Sequence, residues 1–145
     1  ALAVFLGFYF THIFPNVHHI DTSSTSAIFE QMLRIGPEDV FIGLTFSRYS
    51  KRTYMAAQFA KSNGARVISL TDSKDAPIAQ TSDAVLVAKS DMVSFVDSLV
   101  APLSVINALI LAIGVEKAED ISETYNKLET IWDTYNVYEK DNDDQ

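Results

Sequence analysis

The chain alternates short, nearly unbroken apolar runs with longer stretches in which apolar residues recur every three to four positions. Val40-Phe41-Ile42-Gly43-Leu44, Arg66-Val67-Ile68-Ser69-Leu70 and Ala84-Val85-Leu86-Val87 are runs of the first kind. Runs of this length and composition read as parallel strands buried on both faces. The first is expected to extend over 39–46. Val17-His18-His19-Ile20, with apolar ends, reads as a further short strand.

The helical stretches fall between them. Residues 1 to about 13 are mostly apolar and are closed by Pro15-Asn16. Asp21 to Ser26 form a polar loop rich in N-cap residues, and Ile28, Phe29, Met32, Leu33 and Ile35 then follow at helical spacing. The spacing predicts a helix over 25–34, stopped by Gly36-Pro37. Tyr54, Ala57, Phe59 and Ala60 predict a helix over 51–63, ended by Asn63-Gly64. Ala76-Pro77-Ile78-Ala79 suits a short helical turn with Pro77 at its first position. Ser90-Asp91 can cap a long apolar helix, placed at 94–113, that carries Phe95, Leu99, Leu103, Ile106, Leu109, Ile110 and Ile113. A last amphipathic helix is expected over 118–136, with Ile121, Tyr125, Leu128, Ile131, Trp132 and Tyr135 on one side.

Strand and helix thus alternate four times. That order gives an α/β fold, a three-layer sandwich with a parallel, doubly wound sheet and right-handed crossovers. The helix at 94–113 is apolar over more than one face, which is more than one small core needs. An interface between copies of the chain is the expected use of the surplus.

Composition narrows the functional classes. The 145 residues fit one domain, expected over 1–136, and 48% hydrophobic residues are ample for its core. The absence of cysteine excludes disulfides, thiolate metal sites and cysteine nucleophiles. A net charge of -8 argues against this piece gripping nucleic acid itself. Much of that charge lies in Glu139, Asp141, Asp143 and Asp144, in a tail over 137–145 that is expected to be disordered. The chain starts inside an apolar segment without Met, a basic n-region or a cleavage site, and the segment is too short to span a bilayer. It reads as a core helix whose upstream partner lies outside this sequence, in a cytoplasmic protein with no membrane partner.

The candidate chemistry sits after the run at 40–44. Thr45, Ser47 and Ser50 follow it, and a helix begins at about 51. Ligands of open parallel sheets bind at the carboxyl ends of the strands. Helix N-termini offer free N–H groups to anions, and hydroxyls add donors without bulk. The arrangement points to a phosphorylated small molecule, although Ser50 as a plain N-cap and Ser47 as a turn residue explain the same letters. Lys51 and Arg52 either steer anions or are simply solvated. His18 and His19 would point to opposite faces of a strand, with no third ligand at a familiar spacing, so no metal site is expected.

The chain resembles the sugar isomerase (SIS) domain, and more closely the version carried by bacterial RpiR-type transcriptional regulators. The residues that carry the resemblance run from Asp39 to Thr53 (DVFIGLTFSRYSKRT), from Ala60 to Asp72 (AKSNGARVISLTD), then APIA at 76–79, SDAVL at 82–86 and FVDSLVAPL at 95–103. The likeness covers roughly residues 1–113 in order and spacing. It implies a flavodoxin-like sheet and a Ser/Thr loop, here Thr45, Ser47 and Ser50, that holds the phosphate of a sugar phosphate. The ligand-binding set it implies is Thr45, Phe46, Ser47, Arg48, Ser50 and Ser94. The family usually has Gly where this chain has Arg48, and Ser where it has Ala76. Its opening strand, which would lie between 17–20 and 39–46 in the sheet, has no counterpart after Ala1.

The resemblance implies a phosphosugar-sensing domain, homodimeric or of higher order, with no cofactor and no metal. DNA would be met only through a helix-turn-helix domain that is not present in this chain. Two alternatives stay open. One is an aldose–ketose isomerase, whose candidate bases are His18, His19, Asp21, Asp72 and Asp91. The other is a dimerisation module with a degenerate pocket.

Overall fold

The computed structural model describes residues 1–90 and 98–138. Among these, three strands form one sheet: β1 (Val40–Leu44), β2 (Arg66–Thr71) and β3 (Ala84–Val87). They lie in the order β1-β2-β3, all parallel. The register pairs Leu44 with Leu70 and Leu70 with Leu86, so the carboxyl ends of all three strands finish together.

Side chains alternate across the sheet. Phe41, Val67 and Val85 join a core with Ile28, Met32, Ile78 and the alanines of α3 (Lys51–Ser62). Ile42, Leu44, Leu70 and Leu86 join a second core with Leu6 and Phe10 of α1 (Leu2–Ile13) and Ile106 of α5 (Val100–Glu116). Helices therefore cover both faces, which is why each strand reads as an apolar run. α2 (Thr25–Gln31) and α4 (Pro77–Thr81) complete the first helical layer. α6 (Ala118–Tyr135) packs outside α1 and α5, with Tyr125 stacked on His12 at 5.9 Å between ring centroids.

Small residues set the distance between sheet and helices on the first face. Ala56, Ala57 and Ala60 of α3 are buried, so its backbone sits close to the sheet. Gly43 does the same from the strand side, because a Cβ there would meet Ile78 Cδ1 at 2.6 Å. A gap of about 10 Å³ remains on the other face, lined by Leu6, Ile42, Leu70, Leu86 and Ile106 among others. It is apolar and lies within the second core, away from the hydroxyl loop, so it is a packing imperfection and not a binding site.

Several boundaries differ from the expectations. Residues 17–20 are not a strand: no ladder partner reaches them among the described residues, and a strand exists only by pairing. The sheet accordingly has three described strands rather than four, and β1 is an edge strand. The helix expected over 25–34 stops at Gln31, and a turn closes through Ile35 N–H to Met32 O. The apolar helix expected at 94–113 is described from Val100 and runs on to Glu116. Its proposed cap at Ser90-Asp91 lies partly outside the described residues, and Ser90 Oγ donates instead to the Ser98 carbonyl. Residues 139–145 of the acidic tail also lie outside them. No single helix among the described residues is long and apolar enough to cross a membrane.

Candidate functional site

β1 ends at Leu44 and α3 begins at Lys51, and the six residues between them form the loop. Thr45 continues the sheet for one more step, donating its N–H to the Leu70 carbonyl at 3.1 Å. This pins the first residue of the loop and buries it. Thr45 Oγ1 accepts the Ser50 N–H at 2.9 Å, which draws the two ends of the loop together. Ser50 is the N-cap of α3, its hydroxyl accepting the Thr53 N–H at 3.3 Å. The bland reading of Ser50 is thus correct as far as it goes. The N–H groups of Lys51 and Arg52 behind it are the donors that a helix start leaves over.

The loop turns at Arg48, where φ is +65°. A side chain in this left-handed region costs about 1 kcal/mol, and glycine avoids the cost. The glycine usual in the resembling family fits this backbone, and the arginine occupies the same conformation.

Ser47 points elsewhere than the other two hydroxyls. Its N–H donates to Asp72 Oδ2 at 3.0 Å and its hydroxyl donates to the same oxygen. Tyr49 OH donates to Asp72 Oδ1 at 2.9 Å, and Thr71 Oγ1 reaches that oxygen at 3.3 Å. Burial pushes the Asp72 carboxyl up, but the hydrogen bonds from Ser47 and Tyr49 together outweigh it and hold the pKa below its ordinary value. The same bond to the carboxylate is the main reason the Tyr49 phenol is raised.

The structure thus links Thr45 to Ser50 directly, and joins Ser47 to them through the loop backbone while its donors turn to Asp72. Phe46 packs its ring into the second core beside Leu44, so its place is explained by packing. Arg52 spends its guanidinium on the Thr22 and Ser23 carbonyls, both at 2.9 Å, tying the 21–24 turn to the start of α3. It is an anchor there rather than a solvated charge. Ser94 lies outside the described residues.

Asp72 and Tyr49 were not among the expected ligand-binding residues. A signal for Asp72 exists: parallel neighbours in register bring the residues after their carboxyl ends side by side. With Leu44 opposite Leu70, the residues just past β1 and just past β2 must meet. Among the other candidate bases, Asp21 closes its own turn through the Ser23 N–H and hydroxyl, and His18 and His19 are exposed. Among the described residues no three His, Asp or Glu side chains come together to hold a metal ion.

The family model of the SIS domain matches residues 1–112. This chain belongs to the SIS domain family. The SIS chain is similar to the crystal structure of the sugar isomerase domain of an RpiR transcription factor from Sphaerobacter thermophilus, with 29% identity and a TM-score of 0.82. That similarity covers 89% of this chain and 72% of the other. It is also similar in fold to the Vibrio vulnificus NanR protein complexed with ManNAc-6P, with a TM-score of 0.76 at 18% identity, over 92% of this chain and 51% of NanR. No curated protein sequence matches it. The resemblance to the RpiR-type version of the domain is therefore borne out, and so is the α/β sandwich. The family match ends within α5 and leaves α6 beyond it.

Proposed function

We propose that this SIS domain senses a sugar phosphate, held at the Thr45–Ser50 loop, and passes the binding event to a DNA-binding helix-turn-helix domain in the same regulator. One observation carries the reading: the hydroxyl loop stands where an apolar parallel edge strand hands over to a capped helix, at the carboxyl end of the sheet. Membership of the SIS family and the likeness to an RpiR sugar isomerase domain support it. The leftover N–H groups at the start of α3 and the favourable end of its dipole suit a phosphate.

The second part of the reading concerns assembly. α5 carries Val100, Ala108, Leu111, Ala112 and Val115 on one exposed stripe, with no charged residue before Glu116. We propose that this stripe is the contact between two copies, through which a ligand-dependent change is passed on.

The test is a thermal-shift panel of sugar phosphates and the matching free sugars. A ligand that binds only the folded state raises the midpoint. The expected result is stabilisation by at least one phosphorylated sugar, not by its free counterpart, lost in Ser47→Ala and Ser50→Ala variants that still fold. Silence across the whole panel refutes the sensor. Turnover of a stabilising sugar replaces it by an isomerase.

A further inference from the structure

The donors that a phosphate would need from Ser47 are already in use. Its N–H and its hydroxyl both go to one carboxylate oxygen of Asp72, while Tyr49 and Thr71 serve the other. A carboxylate has about four acceptor positions, so this set nearly completes its shell. Two anions cannot share those two donors, and a carboxylate beside a phosphate dianion is repelled by it.

We propose that Asp72 is a specificity-determining residue that competes with the ligand's phosphate for the Ser47 donors, so that binding at the loop exchanges one anion for another. The inference rests on the phosphate-site reading of Thr45–Ser50. The exchange does not strand the displaced charge, because Tyr49 and Thr71 still donate to Asp72 when Ser47 turns away. It also sets a threshold for ligands. A monoanionic carboxylate offers Ser47 nothing that Asp72 does not offer already, and Asp72 still repels it, about half as strongly as it repels a dianion. A phosphate brings a second charge and a third oxygen to the leftover donors of α3, so it alone has a surplus with which to displace Asp72. The loop therefore discriminates against sugar acids in favour of sugar phosphates.

The experiment is calorimetric titration of the 145-residue chain with inorganic phosphate and, separately, acetate. Wild type, Asp72→Asn, Tyr49→Phe and Ser47→Ala are compared after thermal melts have shown which variants fold. Asp72→Asn removes one unit charge next to a dianion and is expected to tighten phosphate binding about tenfold. It is also expected to admit acetate, which wild type does not bind. Tyr49→Phe leaves the displaced carboxylate with one donor fewer and is expected to weaken phosphate binding about threefold or more. Ser47→Ala is expected to lose phosphate binding.

Phosphate binding by wild type that is unchanged or weaker in Asp72→Asn overturns the inference and leaves the phosphate site standing. If Asp72→Asn does not fold, Tyr49→Phe decides, and unchanged or tighter binding there overturns it. Binding by neither wild type nor Asp72→Asn overturns the phosphate site and this inference together.

Discussion

Replacing Ser47 by Ala removes one hydroxyl and leaves the backbone N–H of the residue in place. That hydroxyl donates to an ionised carboxylate, and a shielded bond of this kind contributes about 1.5–3 kcal/mol. Ser47 is exposed and Asp72 half-buried, so water replaces part of the bond and screening reduces the rest. The expected loss of stability at neutral pH is about 1 kcal/mol. Its pH dependence is the sharper expectation. Asp72 has a folded pKa below its ordinary value, so its contribution is fully present above the unfolded pKa of about 3.9 and is lost as the pH falls through the folded pKa. In Ser47→Ala one of the donors that lowers the pKa is gone while burial, the largest influence, still raises it. The folded pKa of the variant therefore lies higher than that of wild type. The stability gap between the two proteins is constant above roughly pH 5, narrows through the carboxylate range and closes below the folded pKa of the wild-type Asp72. Asp75, a further charge felt by Tyr49, is present in both proteins and cancels in the difference. Urea unfolding at a common m-value, from neutral pH down to the lowest pH at which both proteins fold, measures the gap. A gap under about 0.3 kcal/mol at neutral pH, or one that keeps its full size into the acid range, refutes the argument.

Other consequences are checked by similar means. Gly64 has φ +87° and its missing Cβ would stand 3.1 Å from the Pro37 ring, so Gly64→Ala is expected to cost about 1–2 kcal/mol in urea unfolding. Gly43→Val forces Ile78 away from β1 and is expected to cost about 2 kcal/mol or more, part of which Ile78→Val in the same chain should recover. Leu111→Lys places a charge in the middle of the exposed α5 stripe. Light scattering should find wild type dimeric and this variant monomeric, with its melting midpoint changed only by loss of association.

What the sequence told, and what it withheld, follows from how local each signal is. The strand at 40–44, the cap at Ser50 and the helix behind it are written in neighbouring residues, and they stand where the pattern puts them. The Ala56, Ala57 and Ala60 contact with the sheet is visible as a helical spacing of small residues. The segment at 17–20 has strand-like composition, but pairing is a long-range property that composition does not carry. Asp72 was legible as a candidate base and not as the partner of Ser47. The two are 25 positions apart and meet only through the β1–β2 register. Arg48 shows the opposite case: in the sequence it departs from the glycine usual in the family, and the backbone it occupies is still a glycine-type turn.

The outer rim of β1 has one more implication. Its backbone groups face away from β2 and find no ladder partner among the described residues. Any segment that zips onto this rim in the parallel sense brings its own last residues up beside Thr45 and Ser50. Whatever molecule or stretch of polypeptide supplies that segment then stands beside the Thr45–Ser50 loop and, under the proposed function, has a say in which sugar phosphate is admitted.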